Sequence, residues 1–208
     1  MTLKTNPEEK AIEEKKQKLT SYYNRLLKTE FEKETDRGAV ILAASLFDIQ
    51  LESLLRTYLI AETSSSDQLF EGASGPLSNF SSKIILCYRL GLISKKFARD
   101  LNLIRRIRNE FAHNIHGCSF DHSSVVSRVN ELVKSSEILK KAPSIRKKMP
   151  IGTRGDFLIC ASWMLWALSI KIEKTKTINE CADEFGYRED MNEKDIADRR
   201  RKSQEAKK

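Results

Sequence analysis

One pattern constrains the fold of this chain more than any other: long amphipathic repeats of helical period that few helix breakers interrupt. The clearest repeat runs from Arg37 to Ala61, where apolar side chains recur at spacings of 4, 3, 4, 3 and 4 residues. Its members are Val40, Ala44, Phe47, Leu51, Leu54 and Tyr58. This spacing places them on one stripe of an α-helix. Since only 8 glycines and 4 prolines punctuate 208 residues, the sequence predicts an all-α protein built as a single helical bundle.

Further helices are predicted on both sides of this repeat. A loop over Ser64–Ser78 separates it from a helix that Ser78 or Asn79 is expected to cap and that ends near Gly91. The apolar members of that helix are predicted to be Phe80, Ile84, Cys87 and Tyr88. Ser94 is expected to cap the next helix, whose stripe is Phe97, Leu101, Ile104, Ile107 and Phe111.

Two more helices complete the predicted bundle. One begins at Asp121 or Ser123 and carries Val125, Val126, Val129, Leu132 and Val133. The other covers residues 155–172, contains Trp163 and Trp166, and is the most apolar helix in the chain. The tryptophans are expected to be core residues or part of a dimer surface.

The chain is long enough for one well-buried core and short for two. We therefore predict a bundle domain over residues 35–173, with a charged helix over 1–34 before it and a charged tail over 174–208 after it. The thin apolar seam of the N-terminal helix consists of Ile12, Leu19, Tyr22 or Tyr23, Leu26, Leu27 and Phe31. The tail has too little apolar area to fold alone.

Composition predicts a cytoplasmic protein without a membrane span, metal or cofactor. The longest apolar stretch, Phe157–Ile170, has 14 residues and is too short to cross a bilayer. The four cysteines are widely spaced and form no zinc or redox motif. Cys87 and Cys160 are expected to be small buried hydrophobes, whereas His116 and His122 are expected to be loop residues rather than metal ligands. The formal net charge of +8 favours polyanions without specifying one.

Three stretches resemble the mannitol operon repressor family. They are Asp36–Asp48, Gly75–Ile84 continuing into Tyr88–Ile93, and Asp100–His113. The resemblance covers roughly residues 35–132 and implies a helical regulator of transcription. Because no helix-turn-helix with its own recognition helix is visible, we expect such a regulator to act through a protein partner.

The segment Arg108-Asn109-Glu110-Phe111-Ala112-His113 also resembles the RxxxxH motif of HEPN domains. That resemblance implies a homodimer that binds RNA or cleaves it without a metal ion. His113 would then be the acid and base, and Arg108 would hold the phosphate. Asn109 would orient the substrate by a hydrogen bond, and Arg105 and Arg106 would steer the RNA backbone.

The spacing of Arg108 and His113 limits this hypothesis. Side chains five residues apart on an ideal helix diverge by about 140°. The two converge if the helix frays near Ala112, or if a two-fold dimer lines one groove with both copies. Two structural alternatives stand beside catalysis. Arg108 could pair with Asp48 or Glu52, and His113 could simply end the helix.

The line Asp48, Glu52 and Arg56 follows a second face of the first repeat. It predicts either a solvated face with a Glu52–Arg56 ion pair or one wall of a polar cleft. For the whole chain the sequence thus leaves three hypotheses. These are a HEPN-like RNA-directed module that acts as a metal-independent ribonuclease at a dimer groove, a non-enzymatic transcriptional regulator of the mannitol operon repressor family, and a purely structural dimer module.

Overall fold

A computed structural model describes residues 25–63, 66–72, 75–114, 117–136 and 151–181, together with Glu14, Gln17, Ser21 and Glu205. The chain divides into two compact units, residues 1–178 and 179–208, and the helices between Leu27 and Lys174 lie in the first. A short π-helical turn, Leu27–Phe31, precedes five α-helices. They are α1 (Asp36–Tyr58), α2 (Phe80–Arg89), α3 (Lys95–His113), α4 (Ser123–Ser135) and α5 (Thr153–Lys174). The predicted all-α class is confirmed.

Side-chain caps fix where the helices begin. Asn79 Oδ1 accepts the Ser82 backbone N–H at 2.9 Å, and Ser94 Oγ accepts that of Phe97 at 3.1 Å. Ser94 was the predicted cap and Asn79 was one of two candidates with Ser78, because short polar side chains satisfy backbone donors that a helix start leaves unpaired. Thr35 caps α1 in the same way.

Gly91 ends the second helix, as predicted. Its φ of +70° is a left-handed conformation, which glycine adopts without a steric penalty. The backbone N–H of Leu92 bonds to Cys87 O at 2.9 Å, and that of Gly91 bonds to Tyr88 O at 3.0 Å. This pair of bonds is the Schellman arrangement that satisfies the last carbonyl groups of a helix. It places Ser94, the cap of α3, three residues further on.

Helix α1 lies at the centre of the bundle and packs against α2, α3 and α5, while α4 packs against α3 and α5. The predicted stripes of α1 and α3 form the core, with Phe47, Leu51, Leu101 and Ile104 fully buried. The ring of Phe120 links α3 to α5, since its centre lies 5.5 Å from that of the Phe111 ring and 5.3 Å from that of the Phe157 ring. Burial of this kind is the main stabilising contribution in a bundle.

The structure adds one detail to the second helix and corrects the end of the first. Tyr88, one of the predicted apolar members of α2, does not lie on its buried face and is 41% exposed. It lies about 100° around the helix from its buried neighbour Cys87, and the fourth buried residue of the helix, beside Phe80, Ile84 and Cys87, is Lys83. Helix α1 ends at Tyr58 rather than Ala61, because Leu59 adopts an extended conformation.

Helices α1 and α5 are long and apolar enough to cross a membrane by length and composition alone. The apolar stretch Phe157–Ile170 therefore underestimated the length of α5, which has 22 residues. About half of the apolar window of each helix is buried within the protein, 44% in α1 and 50% in α5. Core helices pass the same test, and these two contact each other in the bundle. We assign both to the core.

Several predictions fall outside the described residues. These include most of the N-terminal seam (Ile12, Leu19, Tyr22 and Tyr23), His116, and nearly all of the tail after residue 181. The domain boundaries proposed at residues 34 and 173 stay predictions. In the described part of the seam Phe31 is fully buried, as a seam residue should be.

Candidate functional site

The segment from Arg108 to His113 lies in the last turns of α3, which remains helical through His113. Ile107 and Phe111 face the core and are fully buried, so they fix the rotation of this part of the helix. Asn114 follows as the C-cap, and its backbone N–H still bonds to Glu110 O at 3.1 Å. The helix therefore does not fray near Ala112.

This continuity keeps Arg108 and His113 apart within one chain. Arg108 is half-buried on the edge of the core stripe, while His113 is exposed at the end of the helix. The two side chains diverge by about 140°, the value for five residues of a regular helix. A single copy of this chain thus does not bring the predicted acid–base group to the predicted phosphate clamp. The structure confirms that His113 is the residue at which α3 ends.

The other predicted site residues have ordinary surroundings. Asn109 is half-buried, and Arg106 is exposed. Arg105 is half-buried, and its Nε donates to Asn102 Oδ1 at 3.3 Å. Within the part of the chain that the structure describes, Arg108 has neither a hydrogen bond nor an ion pair. The alternative that Arg108 pairs with Asp48 or Glu52 is therefore wrong for the described structure.

Asp48 and Glu52 instead face a lysine that the sequence analysis missed. Lys83 Nζ lies 2.8 Å from Glu52 Oε2, with a hydrogen bond, and 3.1 Å from Asp48 Oδ1 as an ion pair alone. The lysine is 3% exposed, whereas the carboxylate side chains are about one-third exposed. One signal in the sequence could have found this contact. Lys83 interrupts the apolar positions of α2 next to Ile84, and the acidic line on α1 offered partners for a buried lysine.

Arg56 extends this group of charges to the loop before α2. Its Nε donates to Glu52 Oε1 at 3.0 Å, which confirms the predicted pair, and its Nη1 donates to Asp67 Oδ2 at 2.7 Å. The guanidinium also lies 4.3 Å from the centre of the Phe70 ring, a cation–π contact. Partial burial raises the pKa of Glu52, but the hydrogen bonds and charges of Lys83 and Arg56 outweigh burial and lower it.

A second cluster of polar contacts surrounds Glu110 and Asn114 at the end of α3. Arg128 of α4 binds Glu110 at 3.0 Å, and Asn114 Nδ2 donates to the other oxygen of that carboxylate at 3.2 Å. Arg37 Nη2 donates to Asn114 O at 2.8 Å. Burial acts to raise the pKa of Glu110, but hydrogen bonds from Ser124 and Arg128, with the charge of Arg128, lower it overall. These contacts place the end of α3 firmly against α1 and α4.

A buried aspartate and two buried cysteines lie elsewhere in the described part of the bundle. Asp100 is buried, with Oδ2 2.6 Å from Ser135 Oγ, beside a cavity of about 150 Å³ between α3, α4 and α5. The described residues contain no group of His, Cys, Asp and Glu side chains placed to hold a metal ion. Cys87 and Cys160 are buried as expected, and burial raises the pKa of the Cys87 thiol to about 12.

Comparison with known proteins identifies the family. The family model of the mannitol repressor, MtlR, matches residues 23–154, which is more than half of the chain. This chain belongs to the mannitol repressor family. The family match includes all of α1 to α4 and thus the Arg108–His113 segment, Lys83 and Arg128. No curated protein matches the chain.

A solved structure shares the fold of this family member. The X-ray structure of the MtlR–HPr complex from Escherichia coli matches with a TM-score of 0.51. The match has 19% sequence identity and covers 72% of this chain and 99% of that one. At this identity the likeness shows the fold of the mannitol repressor family and leaves the role of individual residues open.

Proposed function

We propose that this protein is a non-enzymatic regulator of transcription that acts by binding a protein partner. Membership of the mannitol repressor family is the observation that carries the proposal. It is supported by the solved relative, which was crystallised as a complex with HPr. HPr, or a protein with the same surface, is therefore the first partner to test.

The geometry of the motif also favours binding over catalysis. A ribonuclease that works without a metal ion needs a proton-transfer group and a cation at the same phosphate. In this chain the half-buried Arg108 and the exposed His113 lie on different sides of an unbroken helix. Ion pairs and hydrogen bonds of Glu110 and Asn114 hold that helix end in place. A helix end held by such contacts is suited to present a fixed surface to a partner.

Titration calorimetry with purified HPr from the same organism tests the proposal. We expect saturable heat and a complex that elutes earlier than either protein on gel filtration. An unrelated small protein of similar charge is the control for nonspecific association. Absence of both heat and a complex, with folded protein confirmed by circular dichroism, would reject HPr as the partner.

An RNA-directed module that acts as a dimer is the second candidate function. It is favoured by the intact Arg108-Asn109…His113 segment and by an Arg108 guanidinium without an ion pair in the described chain. A two-fold axis beside α3 would bring Arg108 of one copy towards His113 of the other, because a symmetric interface uses the same patch twice. This candidate thus requires a homodimer, whereas the proposed regulator does not.

A further inference from the structure

A small cavity lies where the start of α3, the end of α4 and the middle of α5 meet. Its volume is about 150 Å³, and Phe97, Trp163 and Met164 are among the apolar side chains that line it. The ring centre of Trp163 lies 4.5 Å from that of Trp166, so the partly exposed indole is held against its neighbour. An apolar cavity of about 150 Å³ can hold a molecule of the size of benzene.

The lining of this cavity also contains buried polar groups, Asp100 and Ser135 among them. Ser135 Oγ lies 2.6 Å from Asp100 Oδ2 and 2.9 Å from Leu132 O. Arg99 Nη2 donates to Asp100 Oδ1 at 2.8 Å, so a guanidinium already balances the charge of the carboxylate. Ser136 lines the cavity as well, and its buried Oγ has no hydrogen-bond partner among the described residues. Such a hydroxyl has lost its contacts with water, and a ligand that bonds to it restores them.

These polar groups select the polar end of a ligand. A hydroxyl group can donate to the Asp100 carboxylate and accept from Ser136, whose Oγ turns by rotation about the Cα–Cβ bond. An ammonium group cannot accept a hydrogen bond, and its charge would face Arg99 and the exposed Lys96 of the lining. A carboxylate cannot donate, and it would meet the carboxylate of Asp100. A sugar alcohol carries a hydroxyl on every carbon, and the apolar lining would leave most of these unpaired.

We infer that this cavity binds a small neutral molecule with one hydroxyl group on an apolar body, of about the size of benzyl alcohol. The inference goes beyond the proposed regulatory function and does not rest on its protein partner. A ligand in this position contacts three helices at once. Because the site exists only in the folded chain, the ligand would stabilise the bundle.

Nuclear magnetic resonance of the full chain tests the inference with benzyl alcohol as the probe. The sequence contains two tryptophans, so two indole N–H signals report on the cavity, and Trp163→Phe assigns them. Benzyl alcohol should shift the Trp163 signal saturably, with a dissociation constant on the order of 1 mM. Benzylammonium, which has the same shape and a positive charge, should bind at least about fivefold more weakly. Mannitol should cause no shift.

Two variants separate the hydroxyl from the cavity itself. Ser136→Ala breaks no side-chain hydrogen bond of the described structure, and it should weaken benzyl alcohol binding about two- to tenfold. It should leave the binding of ethylbenzene, which has no hydroxyl, nearly unchanged. Ala167→Leu adds a side chain to the cavity lining and should abolish the shift. The matched control is Ala112→Leu at an exposed position of α3, which should bind as the wild type does.

Thermal unfolding checks that each variant is folded. Absence of a saturable Trp163 shift in the wild type would overturn the inference, as would undiminished binding by a folded Ala167→Leu variant. If Ser136→Ala binds benzyl alcohol as the wild type does, or loses both ligands equally, the hydroxyl is not recognised and the ligand class is wrong. Tighter binding of benzylammonium or mannitol than of benzyl alcohol would assign the cavity to a cation or a polyol instead.

Discussion

Lys83 of α2 places its ammonium group 2.8 Å from the Glu52 carboxylate of α1, and the lysine is almost fully buried. Because of this contact, the acidic line on α1 is part of the interface between α1 and α2. Asp48 is the other neighbour of the ammonium group, at 3.1 Å. A buried cation of this kind is stabilised only while its partners remain charged, which leads to two predictions.

Replacement of Lys83 by methionine should destabilise the protein by about 1–3 kcal/mol. The apolar stem is retained, but Asp48 and Glu52 lose their shared cation and face each other as like charges. Urea denaturation measures the change. Arg89→Met, at an exposed basic position on the same helix, is the matched control and should lie within about 0.5 kcal/mol of the wild type. Equal stability of the two variants would show that Lys83 contributes no net interaction.

Stability should also fall with acid in a way that depends on Glu52. Its pKa is lowered in the folded protein from the ordinary value of 4.5, so the folded state holds this proton less tightly than the unfolded state. The contribution is therefore complete above the ordinary pKa and is lost as the pH falls through the folded pKa. Glu52→Gln should lose less stability than the wild type between neutral pH and about pH 3.

Urea midpoints measured across this pH range provide the test, and Glu71→Gln is the control at an exposed acidic position. The control should keep the acid dependence of the wild type. If Glu52→Gln and the wild type lose stability in parallel, Glu52 is not linked to folding in the predicted way.

Phe120 and Tyr88 should differ sharply when truncated, although both are aromatic. Phe120 is 3% exposed and contacts the rings of Phe111 and Phe157, so Phe120→Ala should cost about 3–5 kcal/mol of unfolding free energy. Tyr88 is exposed, and Tyr88→Ala should change stability by about 0.5 kcal/mol or less. Similar losses in the two variants would place Tyr88 in the core and contradict this prediction.

The fold could be predicted from the sequence because its signals are local. Apolar spacing marked the buried face of α1, and the short polar caps Asn79 and Ser94 marked helix starts within one residue. Which of the adjacent residues Cys87 and Tyr88 is buried could not be read from the sequence, because both are compatible with a stripe that begins at Phe80. Only packing against α1 decides which of them faces inward.

The candidate site was less predictable because its contacts are long-range. Asp48 and Glu52 could have faced any cation, and the sequence offered Arg108 as readily as Lys83, which is 31 residues from Glu52. The divergence of Arg108 and His113 was visible in their spacing. Whether the helix stayed regular through His113 depended on contacts of Asn114 with Glu110 and Arg37, which the linear pattern does not encode.

We propose that this family member works by binding a partner rather than by cutting RNA. The most direct measurement is incubation of purified protein with labelled RNA in the presence of EDTA, beside an Arg108→Ala/His113→Ala double variant of confirmed fold. We predict that neither protein cleaves the RNA above the background of a buffer control. Cleavage by the wild type that is absent from the double variant would contradict the claim and favour a ribonuclease that uses this segment.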